Sequence, residues 1–406
     1  MVRHPDPAVI GRLRERLARY WLTPLPAPPE KWRRGPWRPG AFPSERRSSG
    51  LTSRLGLWLG LAFAICFVTG LLSHLIQHPP GWFWWPSRPV RLYQVTQGLH
   101  VASGLAAAPL LVAKLWAVYP RLFAWPPARS VAHAAERGGV ALLVAAALFQ
   151  VVSGILNIAH RYGPMPFFFT TGHYWVGWLV AGALLIHVGV QLPVVRAALR
   201  RGAPVSPDRR RLLVGAGAAA GLITLVTVGQ TVRPLAPIGV LAPRRPGDGP
   251  QGLPVNKTAA AAGVLAVARD PGYRMILAGP LGERRLDLAA LAALPQHTAV
   301  LPIACVEGWS STATWSGVRL RDLVALVGAD PEGTEVEVES LQAGGRYRVS
   351  VVAPPHVRDP FTLIALRLNG AILHVDHGYP ARLIAPNRPG VLQTKWVGRL
   401  TARVPA

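Results

Sequence analysis

Long apolar runs dominate the first half of the chain. A helix needs about 20 apolar residues to cross a bilayer, and Lys114 is the one Lys, Arg, Asp or Glu within these runs. The pattern therefore predicts five transmembrane helices. Their ranges are Leu55–Ile76, Gln97–Val118, Gly138–Ala159, His173–Val195 and Leu212–Gly229.

Arginines mark one side of this predicted bundle. They precede the first run at Arg46 and Arg47, and they fill the loops after the second and fourth runs. The opposite loops, 77–96 and 160–172, are aromatic instead. Because basic loops stay in the cytoplasm, we expect a multi-pass protein of the cell membrane with a cytoplasmic N-terminus. Everything after the fifth helix is then extracytoplasmic.

The second half has the period of strands. Thr334–Ser340 alternates Glu and Val, Arg346–Val352 is a further strand, and Asn369-Gly370 separates two apolar runs as in a type I′ hairpin. Short helices are predicted at Leu286–Leu294 and Leu320–Val327. The fold class is thus an α-helical membrane bundle followed by an α+β, mainly β, domain.

These patterns divide the chain into five parts. The predicted parts are a basic, Pro-rich cytoplasmic segment 1–50, a four-helix membrane domain 51–200, a fifth transmembrane helix 201–230, a linker 231–253 and an extracytoplasmic domain 254–406.

Composition narrows the class of protein. Of 406 residues, 50% are hydrophobic and 16% charged, against about 25% charged in ordinary soluble domains. The net charge of +25 suits nucleic acid, but the arginines cluster beside the apolar runs, so we expect membrane lipid and no nucleic acid as partner. Cys66 and Cys305 are the two cysteines, which excludes a disulfide framework or a Cys-rich zinc site.

Histidines in the membrane runs are candidate haem ligands, because ionisable residues inside a bilayer are costly. By depth, His100 and His173 can share one b-type haem near the outer face. His187 follows His173 by fourteen residues, about 21 Å along a helix, which suits a second haem whose other ligand stays open. His74 is a further candidate. Each histidine can instead hydrogen-bond a carbonyl or line a polar cavity.

This histidine pattern resembles the cytochrome b561-type subunits of bacterial formate dehydrogenases and hydrogenases. The resemblance covers about residues 50–200. It implies one haem b, or two, held between helices. The family's further ligand near the cytoplasmic end of the first helix is absent here.

Cys305 follows an apolar strand in Leu301-Pro-Ile-Ala-Cys-Val-Glu-Gly-Trp-Ser310. A cysteine in such a polar loop is expected to be exposed and reactive, and a thiolate is a soft ligand for a heavy transition metal. The alternative is an inert core cysteine. Three later motifs contain Trp315-Ser-Gly-Val-Arg, His377-Gly-Tyr-Pro-Ala-Arg382 and Thr394-Lys-Trp396.

Together these four motifs resemble the sulfite-oxidase-type molybdopterin domain over about residues 254–400. The resemblance implies that Cys305 binds molybdenum and is the catalytic residue. It also implies that four residues bind the cofactor: Asn256, His377, Arg382 and Lys395. The Cys-Val-Glu-Gly-Trp-Ser form is closer to the periplasmic methionine sulfoxide reductase branch, because sulfite oxidases carry an arginine shortly after the metal-binding cysteine.

These features indicate a membrane-anchored molybdenum oxidoreductase enzyme. Electrons would pass through haem between an extracytoplasmic molybdenum centre and the membrane quinone pool, with a small, sulfoxide-type substrate reduced. Two alternatives stay open, a sulfite dehydrogenase and a non-catalytic haem electron carrier with a degenerate outer domain. Substrate, direction of reaction and haem number are not fixed by the sequence.

The fifth run generates a prediction on export. Ser206-Pro-Asp-Arg-Arg-Arg-Leu-Leu213 resembles an internal twin-arginine signal, and a molybdopterin domain must fold around its cofactor before export. We expect Arg209→Lys combined with Arg210→Lys to retain the outer domain inside the cell while the first four helices insert. Protease added outside whole cells measures this. Normal cleavage of the outer domain in the double variant would contradict the export signal. The arginines would then act only as a positive-inside anchor.

Overall fold

A computed structural model describes residues 7–200, 206–242, 244–245 and 247–403 of the protein. Small portions of the predicted domains lie outside the described residues. These are residues 1–6 of the predicted cytoplasmic segment, residues 201–205 with Arg201 of the basic loop, residues 243 and 246 of the predicted linker, and residues 404–406.

Six long helices form the first half of the chain. Their bounds are α1 Pro7–Leu22, α2 Ser49–Gln77, α3 Leu92–Val118, α4 Val131–Ile158, α5 Phe169–Arg200 and α6 Pro207–Val228. Helices α2 to α6 are long and apolar enough to cross a membrane. The prediction of five transmembrane helices is confirmed, although each of the five helices begins before its predicted apolar run.

The second half is rich in short strands. The strands are β1 Met275–Gly279, β2 Gly282–Leu286, β3 His297–Ala304, β4 Ser310–Arg319, β5 Glu335–Ser340, β6 Val349–Val352, β7 Leu363–Leu368, β8 Ala371–Ile372, β9 Arg382–Ile384 and β10 Val397–Arg403. The short helices are α7 Leu265–Ala268, α8 Leu288–Ala293, α9 Leu320–Ala325 and α10 Pro354–Val357. The predicted fold class is confirmed.

The chain divides into two compact units. The first contains Met1–Phe67, Gly104–Asn157 and Arg161–Leu222. Within it, small buried residues such as Ala107, Ala147 and Ala220 pack with leucines, as is usual for helices in membranes. Lys114 Nζ donates to the Thr52 carbonyl oxygen at 2.7 Å.

The second unit contains Val68–Ser103, Ile158–His160 and Ile223–Ala406. One of its sheets has the order β2-β1-β10-β5-β6, with β1 and β10 parallel. The other has the order β3-β4-β7-β8, and β9 pairs with Leu363–Ala365 of β7 on the edge away from β4. The largest apolar cluster takes residues from both sheets, including Leu277, Val338, Ile364 and Leu383. The core of this domain therefore lies between the sheets.

Local sequence patterns explain the strands. In β5, Val336 and Val338 are fully buried while Glu337 contacts Arg403 at 2.7 Å on the outer face. In the β7–β8 connection, both Asn369 and Gly370 have positive φ angles, as a type I′ turn requires. The β3–β4 pair runs in register to Ala304 and Ser310. The loop 305–309 therefore lies at the end of this hairpin.

Candidate functional site

A cleft in the second unit collects most of the residues singled out in the second half of the sequence. Its lining residues come from the end of β3, the β3–β4 loop, the start of β9 and segments outside the sheets. They are Pro254, Asn256, Ile303, Cys305, Trp309, His377, Arg382, Gly390 and Lys395. All five predicted molybdenum- or cofactor-binding residues thus line one cavity.

Cys305 lies at the first position of the β3–β4 loop. Its backbone N–H donates to the Trp309 carbonyl oxygen at 2.9 Å, and Gly308 closes the turn with φ +91°. A side chain at Gly308 would be strained in this conformation, and its Cβ would lie 3.0 Å from Val101 Cγ2. The tight turn therefore requires glycine at position 308.

The expectation of an exposed thiol at Cys305 is wrong. The residue is 1% exposed, because it continues the buried face of β3 and packs among Leu301, Ile303 and Trp315. Burial, together with the negative charge of Glu307, raises the pKa of the thiol well above its usual range. A neutral buried thiol is a poor nucleophile, but a metal ion deprotonates a thiol that coordinates it.

Two cations line the cleft beside this thiol. Arg382 is buried, and its Nη1 donates to the His377 carbonyl oxygen at 3.0 Å. Lys395 Nζ donates to the carbonyl oxygens of Lys257 and Asp376 at 2.6 and 2.9 Å. Burial lowers the pKa of Arg382 to about 9. Burial and the nearby Arg382 lower the pKa of Lys395 to about 7. An anion in the cleft would favour the charged form of both.

His377 is part of the frame of the cleft. Its Nε2 lies 2.7 Å from the Pro250 carbonyl oxygen, and burial with the charge of Arg382 lowers its pKa to about 4. The next residue, Gly378, has φ +115°, and a Cβ there would lie 3.1 Å from Arg382 Cβ. The His-Gly pair therefore lets the backbone pass close to Arg382.

Asn256 lies at the mouth of the cleft. Its side chain is exposed, and its Nδ2 is 3.9 Å from Cys305 Sγ. The Asn256 Oδ1 accepts the backbone N–H of Lys257 at 2.9 Å, which fixes the amide group. The side chain can therefore present its N–H donors to a group held at Cys305.

Sequence reasoning missed a buried charge cluster behind the Cys305 loop. Glu307 Oε2 accepts from Trp309 Nε1 at 2.8 Å and lies 2.9 Å from His160 Nε2 and 3.8 Å from Arg244 Nε. Burial alone would raise the pKa of Glu307, but these partners hold it below its usual range. His160 precedes Glu307 by 147 residues, so no local motif in the sequence announces this pairing.

The first turns of α3 also contact the Cys305 loop. Gln97 Nε2 donates to the Val306 carbonyl oxygen at 3.3 Å, and Gln94 Nε2 donates to Ser310 Oγ at 2.9 Å. Val101 packs under Gly308, as described above. His100 lies between Gln97 and Val101 in the sequence, so a candidate haem ligand lies one turn or less from residues that touch the loop.

The helix histidines have different surroundings. A Cβ at Gly70 would lie 2.7 Å from His100 Cε1, so the His100 ring packs closely on Gly70 of α2. His173 Nδ1 is 3.1 Å from Ser153 Oγ, and Gly154 lies close to the same ring. The His74 ring lies 4.9 Å from that of His78. His187 is half-buried on α5, the helix that also carries His173, so the predicted fourteen-residue spacing is helical throughout.

Comparison with known proteins identifies the type of this domain. Residues 264–404 match the family described as oxidoreductase molybdopterin binding domain. The chain is therefore related to molybdopterin-dependent oxidoreductases, and its C-terminal domain has their fold.

Three relatives illustrate the range of similarity. Mitochondrial sulfite oxidase of Rattus norvegicus is 29% identical over 157 residues, which cover 32% of this chain and 29% of that protein. A provisionally named protein-methionine-sulfoxide reductase subunit YedZ1 of Azospira oryzae is 30% identical over 129 residues, covering 32% and 48%. The protein-methionine-sulfoxide reductase catalytic subunit MsrP of Gluconobacter oxydans is 30% identical over 130 residues, covering 29% and 42%. The chain thus spans less than half the length of each.

The Glu307 cluster generates a prediction on stability. His160→Ala removes one partner of a buried carboxylate, so we expect a loss of about 1–3 kcal/mol in the stability of the second unit. The matched control is His297→Ala, whose partner Asp322 lies 3.7 Å away at a more exposed site; we expect less than about 0.5 kcal/mol there. Thermal unfolding of the full chain measures both. An equal loss of stability in the two variants would mean that His160 does not stabilise the buried carboxylate of Glu307.

Proposed function

We propose that the protein is a membrane-anchored, molybdenum-dependent oxidoreductase that reduces a small sulfoxide-type substrate with electrons from the quinone pool. The observation that carries the proposal is the cleft itself, where Cys305, Arg382, Lys395, His377 and Asn256 converge. These residues come from four separate parts of the sequence. Their convergence favours a bound group over a set of unrelated structural residues.

The donor groups of the cleft fit an anionic pterin cofactor. Arg382 Nε is buried and has no hydrogen-bond partner within the described chain, and such orphaned donors are rare in folded proteins. Arg382 and Lys395 add positive charge suited to a phosphate. We assign the phosphate and pterin contacts of the cofactor to these cations and the molybdenum ligand to Cys305.

The buried thiol has a structural reason to be a metal ligand. Its raised pKa disfavours reaction as a free nucleophile, whereas coordination to a metal removes the proton. When bound, the molybdenum cofactor supplies two-electron chemistry with exchange of an oxygen atom. The chain contributes the ligand, the shape of the cleft and the exclusion of water by Trp309 and Ile303.

The Cys305 loop favours a neutral substrate. Val306, Glu307, Gly308 and Trp309 follow the cysteine, and none of them supplies a cation to hold an anion such as sulfite. Asn256 instead offers amide N–H donors within reach of a group at Cys305. An amide donor suits the polar oxygen of a sulfoxide.

Sulfite oxidation is the second candidate, supported by the similarity to sulfite oxidase and by the positive charge of Arg382 and Lys395. The two functions differ in the direction of electron flow. Under anaerobic conditions, methionine sulfoxide should oxidise the quinol-reduced protein if our proposal holds. Reduction of the oxidised protein by sulfite would instead support the second candidate.

We further propose that b-type haem carries electrons through the helices. A ligating histidine commonly hydrogen-bonds through its other ring nitrogen, as His173 does with Ser153. Gly70 lets the His100 ring pack directly on α2, where a larger side chain would clash with it. The pairing of His100 with His173 rests on the similar membrane depth that the sequence predicts for the two residues. His187 and His74 remain candidates for a second haem.

The contacts between α3 and the Cys305 loop support this relay. Gln97 binds Val306 and Val101 packs under Gly308, while His100 lies between Gln97 and Val101 in sequence. The loop that carries the proposed molybdenum ligand and the turn that carries the proposed haem ligand are therefore in direct contact. Electron transfer between them would need no mobile partner.

Haem content tests the ligand assignment. We expect His100→Ala and His173→Ala each to abolish the same outer b-type haem, because either change removes one of two axial ligands. The pyridine haemochrome content and the low-spin visible spectrum of each purified variant measure the loss. His133→Ala, on a histidine outside the predicted spans, serves as the control. Full haem content and an unchanged spectrum in either ligand variant would contradict the pairing.

Cysteine replacement tests the molybdenum site. Cys305→Ser exchanges a soft ligand for a hard hydroxyl that is rarely ionised. We expect turnover to fall by orders of magnitude and the molybdenum spectrum to change, while haem and pterin content remain. The matched control is Cys66→Ser, whose sulfur packs on Gly104 in the helices. A Cys305→Ser protein with the molybdenum spectrum and electron transfer of the parent protein would overturn the assignment.

A further inference from the structure

Helix α1 carries an exposed apolar stripe. Its members are Val9, Ile10, Leu13, Leu17, Tyr20 and Trp21, and each is between 42% and 66% exposed. At about 100° per residue these positions fall within one third of the helix circumference. A helix of 16 residues is marginally stable alone in water. An apolar stripe of this length therefore needs a surface to cover it.

The rest of the helix surface is basic. Arg12, Arg14, Arg16 and Arg19 stand against the single acidic residue Glu15. Arg14 and Arg16 border the two sides of the apolar stripe. If the stripe is buried in an apolar surface, their charged ends can therefore extend away from that surface into a polar environment. This arrangement complements a surface that is apolar below and negatively charged at its edge.

The first unit anchors the chain just after the C-terminal end of α1. Leu25, just after the helix, donates its N–H to the Arg129 carbonyl oxygen at 3.0 Å in the connection from α3 to α4. Phe42 packs on Tyr119 at 5.0 Å, and the Arg47 guanidinium lies 4.7 Å from the Trp116 ring centre. Helix α1 is therefore tethered at the end of the bundle where α2 starts and α3 stops.

We infer that α1 lies flat in the adjacent membrane leaflet and binds anionic phospholipid. The tether places it where the membrane-crossing helices end, which is the level of lipid headgroups. Helices of this kind insert an apolar face by about 5–10 Å and hold anionic headgroups with their basic residues. A soluble protein partner or a second copy of the chain would need no such continuity with the membrane helices.

Hydrogen exchange of the full chain in lipid nanodiscs tests this binding. One set of discs contains phosphatidylcholine and the other contains phosphatidylcholine with phosphatidylglycerol. In the anionic discs, we expect amides of residues 9–21 of the parent chain to exchange at least ten-fold more slowly than those of a Leu13→Glu, Leu17→Glu variant. We also expect the parent chain to exchange more slowly in the anionic discs than in the phosphatidylcholine discs. Replacing Arg12, Arg16 and Arg19 by Gln should remove the difference between the two lipids. The control Glu15→Gln should keep the protection.

Three results would overturn the inference. The first is an equal exchange rate for the parent chain and the Leu13→Glu, Leu17→Glu variant in anionic discs. The second is protection that rises with protein concentration in detergent, which would assign the stripe to a second copy. The third is protection that appears only when soluble cytoplasmic protein is added, which would assign it to a protein partner.

Discussion

The burial of Cys305 is the constraint on which the site depends. The β3–β4 hairpin ends at this residue, and the loop after it is fixed by Gly308 and by the buried carboxylate of Glu307. Because the thiol is enclosed and its pKa is raised, it has little chemistry of its own. A metal bound at the sulfur would remove the thiol proton, and the neighbouring cations Arg382 and Lys395 suit the phosphate and pterin of a molybdenum cofactor.

The Cys305 loop also contacts chain segments next to the membrane helices. His160 and Arg244 hold Glu307 from segments outside the sheets, and α3 contacts the loop through Gln97. These contacts explain how one chain could combine an oxidoreductase domain with a proposed electron relay.

Much of the fold could be predicted from the sequence. Long uncharged runs predict the membrane helices because the bilayer excludes charge, and the Glu-Val alternation predicts β5 because one face is buried. Motif resemblance placed Cys305, Arg382 and Lys395 in one site. The burial of Cys305 and the Glu307 cluster could not be predicted, because both depend on tertiary contacts between distant residues.

X-ray absorption at the molybdenum edge of the purified full chain tests the central claim most directly. The account predicts one more sulfur ligand to molybdenum than the pterin dithiolene provides, at a distance typical of a metal–thiolate bond. A molybdenum site with only the pterin sulfur ligands, or a purified chain without molybdenum, would contradict the account.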